Sequence, residues 1–578
     1  MRMLNPCPRD RRLQLVALLF IIVVATSWAQ QAPSTQSPTF RSQAALVLVP
    51  VIVQRDGKHI AGLKAEEFTV LEDGVRQQIA SLEEVTGQEQ VHWQSAVPGI
   101  YTNGVATEQS AGRLTVYLFD LINTPFPKQS FARESLVRFL LALPDSRDPV
   151  MLAVMMPGGL RVLHSFTLDP ALLRASLSQI KGILSENENS TRTLQGEQEA
   201  REAATQAVST MNQGHPERDP AEVARLTELF RDLPKAFQQA RDIKRTQLTL
   251  DQLQQLAQGL VGVPGRKSLI WVTGGLSYAV GADIPIPLNS MPPRSKSTPG
   301  TLMGDVADSN DRFDATWAIL TDANISVYPV DVAELENPCY ADVNMPQTKC
   351  GEHSMWAFTW GLRAQAMNGF ADRTGGRYCP LQSRLEDCFR SAIEDSAQYY
   401  LVAYRPVLSA KGTWRKLSVK VAVPGAHVRT RSGYFVQGRN ESPEAKNVQI
   451  TQAMASSLDA TGLPVAMHWL DSGPQTAGKI AKLSFEIFVD PRAITFDGDS
   501  QNHFHLTLMA AHRNEKGVMT RRLAKNIEGQ PGPEQLRTLL AKGLLYRDSI
   551  EVPADSGDIR FVVRDEISGR IGSVTAKR

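Results

Sequence analysis

Net charge is almost absent from this sequence: 62 Lys and Arg stand against 60 Asp and Glu, a formal +2 in 578 residues. Holding a phosphate backbone takes clustered cations, and no basic stripe occurs, so nucleic acid is not an expected partner. Cysteine is sparse, five in all, and no Cys-x-x-Cys pair exists, which argues against structural zinc. Enzyme signatures are missing as well. There is no Gly-x-Ser-x-Gly elbow and no His-Glu-x-x-His pair. Gly262-Val-Pro-Gly265-Arg-Lys-Ser268 has the wrong spacing for a phosphate loop and precedes a strand instead of a helix, so a tight turn is expected there. His164 sits in a strand and His353 in a Cys-bounded loop, and neither belongs to a recognisable nucleophile motif. Together these absences predict a protein without catalytic activity.

Long apolar runs are also missing, with one exception at the N-terminus. Arg2, Arg9, Arg11 and Arg12 precede the apolar stretch Leu15 to Ala25, and small residues follow at Ser27 and Ala29. This is the pattern of a secretory signal over residues 1–29, with cleavage after Ala29. The run falls short of the roughly 20 residues a spanning helix needs, and no later segment reaches that length. A secreted or periplasmic protein with no membrane span after cleavage is expected. Cys7 lies in the segment to be removed. Cys339, Cys350, Cys379 and Cys388 remain, an even number in an exported chain, and two disulfides are expected. Four cysteines allow three pairings; the local one, Cys339–Cys350 with Cys379–Cys388, would close two short loops.

A chain of this length predicts two to four domains. After a polar leader at 30–42, alternating apolar residues and the turn pair Asp73-Gly74 predict a small β module over 43–87. A polar stretch, 88–112, follows it. From Leu114 to about 437, apolar strands alternate with helical patterns: strands at 114–119, 150–156, 161–166, 268–272 and 325–330, with helices between them. That alternation predicts an α/β fold on a doubly wound, mostly parallel sheet. It is interrupted by a charged helical insertion at 186–245 and a Pro-rich loop at 281–300. Tyr399–Tyr404 and Trp414–Val423 are expected to pair with each other, and Tyr399, Tyr400 and Tyr404 to serve packing. Strand-like runs over 447–578 predict a β-sandwich.

Ligands of open α/β sheets sit beyond the carboxyl ends of the strands. Asp120 ends the first strand there, followed by Leu121-Ile122-Asn123-Thr124. A carboxylate beside a hydroxyl suits Mg²⁺, which prefers hard oxygen ligands. Several pieces resemble one known family: the strand–Asp–loop, Ala132-Arg-Glu-Ser135, Gly265-Arg-Lys-Ser-Leu-Ile-Trp-Val-Thr-Gly-Gly275, Tyr399-Tyr-Leu-Val-Ala-Tyr404 and Arg431-Ser-Gly-Tyr-Phe435. Gly62-Leu-Lys-Ala-Glu-Glu-Phe68 and Glu72-Asp-Gly74 join them. The set, spanning roughly 45–436, resembles the von Willebrand factor type A-related domain of exported acidobacterial proteins. The resemblance implies a type A fold and a binding role with no established chemistry.

The type A fold often carries a metal-ion-dependent adhesion site, Asp-x-Ser-x-Ser with a Thr and a distant Asp. Asp120 matches the first position and Thr124 the last, but Ile122 stands at the middle serine and cannot ligate a cation. Thr273 is followed by Gly274 where the family has Asp; Thr191 or Thr193 would supply the remaining hydroxyl. The site is therefore read as degenerate, with Asp120 and Thr124 as its remaining metal ligands, Mg²⁺ as the one candidate ion and no cofactor expected. The alternative for Asp120 is a loop cap. Asp120, Asn123, Thr124, Thr273 and Gly274 form the expected ligand-binding face. The function so implied is an exported adhesion or scaffold protein that binds a protein or envelope macromolecule. A metal-dependent hydrolase and a cell-envelope assembly component are the alternatives.

Overall fold

The computed structural model describes residues 46–86, 98–104, 114–142, 149–176, 241–276, 312–332, 354–380, 384–406, 414–435, 443–470, 475–497, 502–514 and 519–577, except 125, 170, 174, 478, 479 and 555. The signal segment 1–29, the leader 30–42, residues 186–240 of the insertion expected at 186–245, and the loop at 281–300 lie outside the described residues. So do Thr191, Thr193, His353, Cys7, Cys339 and Cys350.

Five strands come first: β1 (Val47–Arg55), β2 (Lys58–His59), β3 (Phe68–Glu72), β4 (Val75–Gln77) and β5 (Ile79–Val85). Between β3 and β4, Asp73 and Gly74 both take positive φ, 48° and 84°. That is the turn whose twist matches an antiparallel hairpin, and Asp and Gly tolerate it at little cost. β6 (Ile100–Thr102) follows.

The next five strands, β7 (Leu114–Asp120), β8 (Val150–Met156), β9 (Gly159–Thr167), β10 (Lys267–Thr273) and β11 (Ile325–Asp331), form one sheet in the order β11-β10-β7-β8-β9. Four of them run parallel, and β9 returns antiparallel beside β8. Every residue of β7, β10 and β11 is buried, because apolar helix faces cover both sides. On one face Val116, Leu118 and Trp271 cluster with Leu253, Leu256 and Phe370. On the other, Tyr117, Phe119 and Val272 cluster with Leu136, Phe139 and Phe389.

Four strands then return to the beginning of the chain: β12 (Tyr399–Tyr404), β13 (Trp414–Val421), β14 (His427–Arg429) and β15 (Gly433–Phe435). β12 lies antiparallel between β1 and β5, and β14 flanks β1 on its other side. β13 lies between β3 and β15. The expected pairing of 399–404 with 414–423 is thus corrected: these strands belong to two different sheets. Both sheets face one apolar cluster that includes Val49, Val51, Phe68, Val70, Val402 and Leu417. Residues 399–435, read with the 113–437 segment, complete the sheets of the N-terminal strands.

The remainder holds β16 (Val465–Trp469), β17 (Gln475–Ala477), β18 (Ile480–Val489), β19 (Phe504–Arg513), β20 (Met519–Gly529), β21 (Leu544–Pro553), β22 (Ile559–Asp565) and β23 (Ile571–Ala576). They form two antiparallel sheets, β17-β18-β16-β6 with β21 also on β18, and β20-β19-β22-β23. Phe485, Ile487, Leu508, Phe561 and Val574 share the core between them. β6 comes from the polar stretch before β7. It is fixed by buried Asn103, whose amide donates to the Ala460 and Leu463 carbonyls (2.5 and 2.9 Å) and accepts from the Val465 N–H (2.7 Å).

The fold class is therefore corrected. Among the described residues strand exceeds helix, 45% to 29%, and four of the five sheets formed by them are antiparallel. The chain is a mostly β protein, not a doubly wound parallel α/β fold of the type A kind. The expectation failed because local periodicity reports each strand but not its distant partner.

A close approach joins the parallel sheet's helical layer to the C-terminal sheets. The Gly262 N–H donates to Thr461 Oγ1 (2.8 Å) and the Thr461 N–H to the Gln258 carbonyl (2.9 Å). A Cβ at position 262 would lie 2.1 Å from the Thr461 carbonyl oxygen, so only glycine fits there.

Candidate functional site

β7 ends in a carboxylate because its side chain has local donors to satisfy. Asp120 is 1% exposed. Its Oδ1 accepts from the backbone N–H groups of Ile122 and Asn123, both at 3.0 Å. Its Oδ2 accepts from Asn123 Nδ2 and Thr273 Oγ1, both at 2.7 Å. Asn123 Nδ2 also donates to Thr249 Oγ1 (2.7 Å), and Thr273 Oγ1 accepts from the Gly275 N–H (2.9 Å). Thr124 Oγ1 accepts from the Gly274 N–H at 3.1 Å. The five residues expected at the binding face are therefore neighbours, knotted together at the carboxyl ends of β7 and β10. Burial pushes the Asp120 carboxyl above its ordinary pKa, while the donors from Asn123, Thr273 and Ile122 act against that rise.

This knot is closed. Asp120, Thr124, Thr273 and Gly274 are buried and only Asn123 is half-buried. A cation at Asp120 would have to displace hydrogen-bond donors that the carboxylate already holds, with buried Ile122 between it and Thr124. The residues do not fit Mg²⁺. Among the described residues, no group of three or more His, Cys, Asp or Glu is placed to hold a metal ion.

Sequence reasoning missed two neighbours at the same end. Asp331 closes β11 opposite Thr273, is 3% exposed, and accepts from the Tyr378 hydroxyl (3.1 Å). Its signal was there to read, a carboxylate closing an apolar strand, as at Asp120. Gln252 clamps the end of β8, accepting from the Met156 N–H (3.2 Å) and donating to the Met156 carbonyl (2.8 Å). Beside β11, Cys379 forms a disulfide with Cys388 of the helix Leu385–Ala397. The Cys379 N–H donates to the Pro329 carbonyl (2.9 Å), and its carbonyl accepts from the Asp331 N–H (3.0 Å). The disulfide thus fixes the segment that lines the end of β11. Among the described residues, no helix is long and apolar enough to cross a membrane.

The motifs that carried the resemblance also meet in space. Tyr404 and Tyr434 donate to Glu72 Oε2 (2.7 and 3.2 Å). Tyr400 Oη accepts from the Leu63 N–H (3.0 Å) and donates to the Ile60 carbonyl (2.8 Å). Burial raises the Tyr404 and Tyr434 hydroxyls, Tyr434 to about 12. These tyrosines bind strands to one another.

Residues 261–266 form a turn that leads into β10. The Lys267 ammonium is buried and donates to the Val263 and Gly265 carbonyls (2.5 and 2.9 Å). Burial lowers its pKa from 10.5 to about 7. Between those values the unfolded chain holds a proton that the folded chain has released, so stability should climb with pH across that window. Lys267→Met is expected to flatten the climb. Urea unfolding at a series of pH values checks this, and an unchanged slope in the variant refutes it.

A Ser–His contact in the C-terminal sheets has the wrong polarity for nucleophilic catalysis. Arg522 donates to His512 Nε2 (3.0 Å), which leaves the ring proton on Nδ1, 3.2 Å from Ser556 Oγ. The ring donates to the hydroxyl and does not act as its base. Compared with known proteins, the chain matches no family model and no curated protein.

Proposed function

We propose that this chain is an exported, non-catalytic binding or scaffold protein whose partner is a protein or another envelope macromolecule. One observation carries the reading: the polar groups gathered at the strand ends are engaged with one another. Asp120, Asn123, Thr124 and Thr273 hold loops in place, and a partner meets what those loops present. The Cys379–Cys388 disulfide supports an oxidising compartment.

The test uses the full chain as bait in a cell-envelope extract, with and without a divalent-cation chelator, alongside a chromogenic ester and peptide panel. The expected result is the same captured species in both conditions and no turnover. Capture abolished by the chelator would replace this reading with a cation-dependent one. Turnover proportional to protein concentration would make the chain a hydrolase.

A further inference from the structure

At the other end of the parallel strands, where β11 begins, lies a small, partly open cleft. Its walls carry two guanidinium groups, Arg266 and Arg431, and no carboxylate. Arg266 is 2% exposed and well supplied with acceptors. It donates to Ser326 Oγ (2.9 Å), the Asp395 carbonyl (2.6 Å), and the Tyr328 hydroxyl and Gly375 carbonyl (both 3.1 Å). Arg431 is less well served. It reaches the Leu48 carbonyl at 2.9 Å and the Thr321 carbonyl at 3.3 Å, and its Nε is buried without an acceptor among the described residues.

The carbonyl oxygens bordering the cleft already have donors: Gly375 from Arg266, Thr374 from Ser326 Oγ, and Pro50 from Thr430 Oγ1. Two acidic groups act nearby, Asp322 on Arg431 and Asp395 in an ion pair with Arg429, but neither lines the cleft. Donors and positive charge therefore exceed acceptors in a partly closed space. A buried donor left without an acceptor is costly, and a guanidinium favours an anionic acceptor over a neutral one.

We propose that this cleft binds a small monovalent inorganic anion of about chloride size. The anion would accept from Arg431 and lie beside Arg266, tying β1 and the segment before β15 to the start of β11. The enclosed room suits one small occupant.

Two measurements on the full chain test it. In a crystal soaked in bromide, an anomalous peak is expected within hydrogen-bond reach of Arg431 Nε. In solution, unfolding is followed in chloride and in gluconate at equal ionic strength. Chloride at about ten times its Kd should raise the wild-type folding constant roughly tenfold over gluconate, and Arg431→Met should remove that difference. Equal wild-type stability in the two salts, or a cleft filled by solvent with no anomalous signal, overturns the proposal whether or not the variant folds.

Discussion

Asp395→Ala is expected to lower folding stability by about 2–4 kcal/mol, near the lower range for breaking a buried ion pair. Asp395 is 2% exposed, and its Oδ1 lies 2.5 Å from Arg429 Nη2 and 3.9 Å from Arg377 Nη2. Arg429 belongs to β14, which flanks β1, while Asp395 sits on the helix Leu385–Ala397 against the parallel sheet. The pair therefore joins the sheet of β1 to a helix covering the parallel sheet, and its loss leaves a guanidinium with little solvent. The Arg429 side chain keeps 22% exposure, which moderates the cost. The double variant Asp395→Ala with Arg429→Met removes both charges and should be less destabilised than the sum of the single changes. Urea denaturation of the four proteins reads the coupling. A sum that adds simply would show that the pair contributes nothing of its own.

The second large effect belongs to Asp120. Removing its carboxylate in Asp120→Ala takes the acceptor from two backbone N–H groups, the Asn123 amide and the Thr273 hydroxyl at once. The hydroxyl can rotate and Asn123 keeps Thr249, but the buried N–H of Ile122 donates, among the described residues, to Asp120 Oδ1 alone. A buried donor left unsatisfied costs about 1–3 kcal/mol, so a total loss of about 2–4 kcal/mol is expected. Hydrogen exchange should locate the damage: the Ile122 and Asn123 amides lose protection while those of β18 and β19 keep theirs. Asp120→Asn turns one acceptor atom into a donor facing Asn123 or Thr273, and should fall between wild type and alanine.

Legibility followed the range of each interaction. β7, β10 and β11 announced themselves as short apolar runs, since burial on both faces keeps their middles apolar and leaves polar residues near their ends. The Asp73-Gly74 hairpin was readable because its backbone demand falls on two adjacent residues. The gathering of Asp120, Asn123, Thr124, Thr273 and Gly274 was also accessible, because ends of neighbouring parallel strands must converge. What failed was pairing across hundreds of residues. β1 meets β12, and β3 meets β13, through alternating apolar faces that fit many partners equally well. β6 was hidden in a polar stretch because one buried asparagine fixes it, with no apolar pattern to reveal it. The closed state of the knot was equally hidden, since Thr249, which holds Asn123, lies far along the chain in a helix whose packing the sequence does not announce.

The claim on which the functional reading rests is that the Asp120 carboxylate holds protein donors and no cation. Calorimetric titration of the full, chelator-stripped chain with Mg²⁺ tests it most directly. No saturable heat is expected, and Mg²⁺ should not move the unfolding midpoint. A saturable isotherm in the wild type that disappears in Asp120→Asn would contradict it.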